Sequence, residues 1–184
     1  NHSGKNSMLV LRPADAKETT AAWKLAMENT STPSALILSR QNINDLPEGN
    51  DYSQAAKGAY VVAGSDTNPD VICVASGSEV STLVAGAEIL RAEGVKVRVV
   101  SVPSEGLFSN QSDEYKQSVV PAGAKVFGMT AGLPVNLQGF LIGAAPESKV
   151  WGLNSFGFSA PYKVLDEKLG YTAQNVYEQV KSML

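Results

Sequence analysis

The chain has one histidine, His2, and one cysteine, Cys73. Histidine is the usual proton carrier near neutral pH. His2 lies in a polar lead-in, "NHSGKNSM", where it reads as having no chemistry. Histidine-based acid–base catalysis and His–Cys zinc sites are therefore all but excluded from the remaining sequence. Cys73 falls inside the apolar run "VICVAS" and reads as a small buried hydrophobe, since a reactive thiol needs a nearby base and some exposure. A lone cysteine cannot form an internal disulfide, which favours a cytoplasmic protein. No apolar run approaches the roughly 18 residues of a membrane span, and the lead-in has no signal-peptide core. The net charge is −3, with no long block of one sign. The basic stripe of a nucleic-acid binder is thus missing.

Hydrophobic residues make up 43% of the 184, enough to bury a core. Residues 8–13, "MLVLRP", read as a strand ended by proline. "DAKE" (15–18) opens a helix with a carboxylate cap and a glutamate three residues on, and Trp23, Ala26 and Met27 continue it at helical spacing to about Glu28. "SALILS" (34–39) is a second strand. Strand, helix and strand within about 30 residues form a βαβ unit with parallel strands. Residues 42–58 are rich in Asn, Asp, Gly and Pro and read as a linker or domain crossing.

A second α/β block follows. Strands are expected at 59–64, 71–76, 95–103, 124–131 and 149–154, the first ending at the turn "SDTNPD". Helices are expected after "SGSE" with a stripe of Val80, Leu83, Val84, Ala87 and Leu90 stopped by Gly94, at 112–121, at 159–170 under Ser159, and at 172–184 under Thr172. The alternation predicts an α/β fold: an open three-layer sandwich with a mostly parallel sheet, preceded by the βαβ unit.

Four places invite a functional reading. "ASGSEV" joins a strand to a helix without the spacing of a nucleotide loop, so it is a helix cap or, at most, an anion site at a helix N-terminus. "SFGFSAP" (155–161) is a turn whose Phe156 and Phe158 plug the core, or else a contact to another subunit or domain. Asp166 and Glu167 are adjacent on a helix and read as solvated surface charge. Arg40 is placed one residue past a parallel-type strand, where open α/β sheets bind ligands. Its planar fork suits a phosphate; a local salt bridge to Asp45 or Glu48 is the alternative.

The motifs "LRPADAKETTAAW" (11–23), "LSRQN" (38–42), "ASGSEV" (75–80), "VRVVSVPSEGLFSNQ" (97–111) and "FGFSAP" (156–161) occur together and in order. Through them the chain resembles the C-terminal part of transketolase from about Met8 to Leu184. The resemblance implies that residues 1–50 are the tail of a thiamine-diphosphate pyrimidine-binding domain and residues 51–184 the C-terminal domain. It implies a cytoplasmic homodimeric parent enzyme of the pentose phosphate pathway, which transfers a two-carbon ketol unit between sugar phosphates. That parent uses thiamine diphosphate and a divalent metal, Mg or Ca. Arg40 matches the family's substrate-phosphate arginine. The family's diphosphate motif, activating carboxylate and substrate-binding histidines are not found here, so the chain is expected to be a fragment, inactive alone and binding neither cofactor nor metal. One departure is Thr130 in "GMTAG", where relatives often carry a glutamate. The rivals are deoxyxylulose phosphate synthase or a pyruvate-dehydrogenase-type beta subunit, against which "RPAD" and "LSRQN" argue; a stand-alone binding module; and a Rossmann-type nucleotide binder, which lacks its glycine pattern.

Overall fold

The computed structural model describes residues 7–64 and 67–184; His2, with most of the lead-in, and the first two residues of the turn "SDTNPD" lie outside them. Strand β1 (Leu9–Leu11), helix α1 (Ala16–Glu28) and strand β2 (Ser34–Leu36) form the expected βαβ unit. Its strands pair in parallel from Leu9 with Ser34 to Leu11 with Leu36. At the start of α1 the Asp15 carboxylate accepts from the Glu18 amide at 2.7 Å, and the Glu18 carboxylate turns back to accept from the Ala14 amide at 2.8 Å. This satisfies one bare amide of the helix's first turn and the amide of the residue before its cap.

Strand β2 is shorter than the expected 34–39. The Arg12 amide leaves the ladder to bond Pro103 O at 2.8 Å, and Pro13 has no N–H to offer. Residues 38 and 39 therefore have no strand beside them. The apolar spacing that marks α1 falls on its outer side, where Met27 is 76% exposed. The inner side is carried by Glu18 and Ala22.

The segment from 42 to 58 is held down at defined points. Leu46 is buried, and its amide donates to Asp15 Oδ2 at 3.0 Å. The Tyr52 hydroxyl donates to the same oxygen at 3.0 Å. A 3-10 turn, Tyr52–Lys57, ends on Gly58 at φ 87°. A side chain there would meet the Phe108 amide nitrogen and Ser104 O at 2.3 Å, so the chain passes too close for any residue but glycine.

Strands β3 (Tyr60–Ala63), β4 (Val71–Ala75), β5 (Val97–Ser101), β6 (Val126–Met129) and β7 (Lys149–Trp151) form a sheet in the order β3-β5-β4-β6-β7. All neighbours pair in parallel except β3, which is antiparallel to β5. Every residue of β4 is fully buried, as its unbroken apolar run requires when both faces are covered. One face packs on helices α2 (Glu79–Ala92) and α6 (Ala173–Lys181) through Leu83, Leu90, Val176 and Val180. The other face packs Ile72, Val74 and Val100 against Leu137 and Phe140 of a 3-10 segment (Pro134–Leu141) and against Val119. Val119 ends a helix that follows a short one missed in the sequence: α3 (Glu105–Ser109), then α4 (Asp113–Val119). The result is the expected three-layer α/β sandwich. Cys73 is fully buried in β4, and burial pushes its thiol up to about 12, which leaves it unreactive.

Two local expectations are corrected. Helix α5 (Tyr162–Leu169) starts after Pro161, without a side-chain cap from Ser159. Proline fixes its own φ and disfavours helix for the residue before it, so the helix cannot open three residues earlier. Phe156 and Phe158 do not plug the core; they are 98% and 66% exposed. Thr172 does cap α6, accepting from the Asn175 amide at 3.2 Å.

Glu18 is fully buried, and its carboxylate accepts from the Tyr60 hydroxyl at 2.7 Å. Burial raises its pKa above the ordinary 4.5, more than these donors lower it. A raised pKa means that the folded chain holds this proton more tightly than the unfolded chain does. The contribution is thus complete below about pH 4.5 and is lost as pH rises through the folded value. Glu18→Gln, which cannot ionise, should remove this slope. In chemical unfolding from pH 4 to 8, the wild type should lose stability relative to Glu18→Gln as pH rises. Parallel curves would show that Glu18 does not titrate differently on folding.

Candidate functional site

The parallel strands of the two sheets direct their carboxyl ends toward one another. From the small sheet come Arg12, just after β1, and residues 37–44, after β2. From the large sheet come the β4–α2 turn, Ser76–Gly77–Ser78, and the turn after β6 at 130–132. Between them lies a cleft of about 580 Å³. Ser39, Gln41 and Asn42 line one wall, and Glu79, Thr82 and Asp166 line the other.

Arg12 crosses this boundary. Its guanidinium donates to Ser76 O, to Ser76 Oγ at 3.2 Å, and to the Glu79 carboxylate, with which it forms an ion pair. The backbone repeats the link, since the Gly77 amide donates to Arg12 O at 3.1 Å. The Glu79 carboxylate lies in the first turn of α2 with Arg12 against it, which argues against the anion reading of "ASGSEV". Asp166, expected as solvated charge, is half-buried on the cleft wall, and its pKa is raised by burial and by nearby Glu79. Glu167 is exposed as expected.

Thr130 is buried and closes the turn after β6. Its Oγ1 accepts from the Gly132 amide at 3.1 Å, its amide donates to Trp151 O at 2.9 Å, and its carbonyl accepts from the Tyr171 hydroxyl at 2.9 Å. Burial pushes the Tyr171 phenol up to about 12, so it remains a donor. Thr130 here serves the turn, with no acid at this place.

Arg40 stands four residues past the end of β2, because that strand stops at Leu36. It is exposed on the rim, between two residues that line the cleft. Among the described residues it forms no ion pair with Asp45 or Glu48, nor any hydrogen bond. The sequence has four arginines. Arg12 is taken up by Glu79 and Ser76, Arg91 donates to Val97 O at 2.7 Å, and Arg98 donates to the Ser118 and Val119 carbonyls at 3.1 and 3.0 Å. Arg40 is exposed and, among the described residues, has no side-chain hydrogen bond or ion pair. The role of Arg12 was missed in the sequence, where the signal was an arginine between a strand and a proline together with an acid in the first turn of a later helix.

No group of three or more His, Cys, Asp or Glu among the described residues is arranged to hold a metal ion. The described side chains thus offer no carboxylate cradle for a diphosphate-bound metal.

Residues 58–172 match the family model described as the transketolase-like TK C-terminal domain. A transketolase of Staphylococcus aureus is 42% identical over 180 residues, which are 96% of this chain and 27% of that protein. Among solved structures, a transketolase from Leishmania mexicana superposes with a TM-score of 0.87 at 36% identity, over 96% of this chain and 25% of that one. A Pichia stipitis transketolase in complex with sedoheptulose-7-phosphate gives 0.85 at 36% identity, over the same shares. The chain thus spans about a quarter of the length of the relatives it matches. It belongs to the transketolase family, and what it corresponds to is the C-terminal part.

Proposed function

We propose that this chain is the C-terminal portion of a transketolase that moves a two-carbon ketol unit between sugar phosphates, and that Arg40 grips the substrate phosphate. The observation that carries the reading is the state of Arg40: beyond the carboxyl end of a parallel strand, on the rim of a cleft, with no partner among the described residues. A guanidinium in that position can give two charge-assisted bonds to a phosphate. The Pichia relative that binds sedoheptulose-7-phosphate supports a phosphorylated sugar as the ligand class. In this reading thiamine diphosphate and its divalent metal, Mg or Ca, supply the carbanion chemistry, and residues beyond this chain hold them. The parent is a cytoplasmic homodimer serving the pentose phosphate pathway. Residues 1–50 belong to its pyrimidine-binding domain and residues 51–184 to its C-terminal domain, in keeping with a family match that begins at residue 58.

The domain division can be tested directly. Between buried Leu46 and the turn at Tyr52–Lys57, residues 47–49 are exposed. A glutamate-specific protease should cut first at Glu48 and leave a resistant C-terminal product. Primary cleavage within 71–103 would contradict the boundary.

The Arg40 reading calls for a whole enzyme. In a chimera, this chain replaces the matched 180 residues of the Staphylococcus aureus transketolase. Hydrogen bonds to charged groups contribute roughly 1.5–3 kcal/mol each, so Arg40→Ala should lower kcat/KM for a phosphorylated donor about tenfold to a hundredfold. A half-reaction with unphosphorylated hydroxypyruvate should be spared, and Arg40→Lys should recover only part of the loss. The chain by itself, assayed alongside, should be inactive and should bind no thiamine diphosphate by calorimetry. Equal losses for both donors would assign Arg40 to the fold instead.

A further inference from the structure

The five-stranded sheet is wound in two directions from β4. The connection through α2 leads to β5 on one side, and the chain then crosses to β6 on the other. The carboxyl ends of β4 and β6 therefore flank the crevice in which open α/β sheets take their ligands. In this chain the occupant is a side chain from the neighbouring unit. Arg12 sits there with its side chain only 26% exposed, against Glu79, whose side chain is 7% exposed.

Three features make the crevice fit a guanidinium. Ser76 O, Ser76 Oγ and the Glu79 carboxylate share the two N–H bonds of one terminal nitrogen of Arg12, acceptors that an ammonium would also serve, so it is the packing of the planar group that singles out a guanidinium. The rest of the group lies against Gly77, where a Cβ would meet Arg12 Cζ at 2.8 Å and Nε at 2.9 Å. Gly77 is held at φ +66°, so this turn both bends where glycine is favoured and leaves the space the guanidinium fills. Asp166, close enough to Glu79 to feel its charge, adds a second carboxylate to the surroundings. A nucleotide loop turns backbone donors toward a phosphate; this crevice turns acceptors toward a cation.

We propose that the switch-point crevice is a guanidinium receptor occupied in cis by Arg12, and that its occupancy latches the β1–α1–β2 unit onto the five-stranded sheet. The latch does not depend on what Arg40 binds. Emptying the receptor loosens the backbone links beside it, from residue 12 to Pro103 O and from Gly77 to the carbonyl of residue 12, without unfolding the sandwich, and an external alkylguanidinium can refill it.

Hydrogen exchange read by mass spectrometry on the full chain tests this. In Arg12→Ala the two amides that bond across the boundary, that of residue 12 to Pro103 O and that of Gly77 to the carbonyl of residue 12, should exchange about tenfold to a hundredfold faster than in the wild type, while those of β4 and β5 keep their protection. Millimolar ethylguanidinium should restore protection to these two amides, and ethylammonium at the same concentration should not. Glu79→Gln should loosen the same amides and abolish the rescue of Arg12→Ala. The proposal is overturned by unchanged exchange at these amides, by equal rescue with ethylammonium, or by no rescue. It is also overturned if either variant loses protection across both sheets, because Arg12 would then belong to the folding core.

Discussion

Two buried carboxylates with no cation beside them hold the molecule's separate parts together. Asp15 accepts from the Glu18 amide, the Leu46 amide and the Tyr52 hydroxyl, and Glu18 accepts from the Ala14 amide and the Tyr60 hydroxyl. Neither forms an ion pair among the described residues. A carboxylate away from water is costly unless its oxygens are occupied. The donors come from α1, from the 42–58 segment and from β3, so α1 can sit here only if the other two are in place. The tyrosines feel the same environment: burial and the neighbouring acids raise both phenols, keeping them protonated as donors. What composition suggests to be a loose crossing is therefore tied at Leu46 and Tyr52.

The layer order was legible in the sequence because it depends on short-range patterns. An unbroken apolar run such as 71–75 has to be covered on both faces, and the stripe from Val80 to Leu90 has to face a sheet. What could not be read was direction. Trp23 and Met27 lie at helical spacing, and periodicity alone says that they share a face without saying which face the fold covers. Covering the other side depends on Tyr60 and Tyr52, far along the chain. Phe156 and Phe158 mislead in the same way, since burial was inferred from residue type where tertiary placement decides. The end of β2 was misjudged because a strand is as long as its partner allows, and β1 is cut short by Arg12 and Pro13.

Of the two arginines at the cleft, the sequence singled out only one. Arg40 stood out through its motif, and the structure adds that neither suggested carboxylate, Asp45 or Glu48, has captured it. Arg12 lies in an equally prominent motif yet received no role, because its partner Glu79 is 67 residues away. Local sequence records that an arginine follows a strand; it does not record whether an acid waits across the cleft.

That difference separates the two arginines in kind. Both follow parallel strands and both border the same cleft. Arg12 has a buried carboxylate and a carbonyl against it, and breaking that pair would leave Glu79 charged and unmatched in a poorly solvated place. Its binding energy is spent within the fold. Arg40 has no such commitment among the described residues, and under the proposed function its unshared fork is what a substrate phosphate would meet at the rim. A chain that builds a receptor for one guanidinium and leaves the next one open has divided two tasks: Arg12 fixes where the β1–α1–β2 unit sits, and with that unit fixed the exposed segment after β2 carries Arg40 to a defined place on the rim. The fold can keep a solvent-facing charge there because the buried carboxylates Asp15 and Glu79 already have donors of their own, which Arg40 does not need to supply.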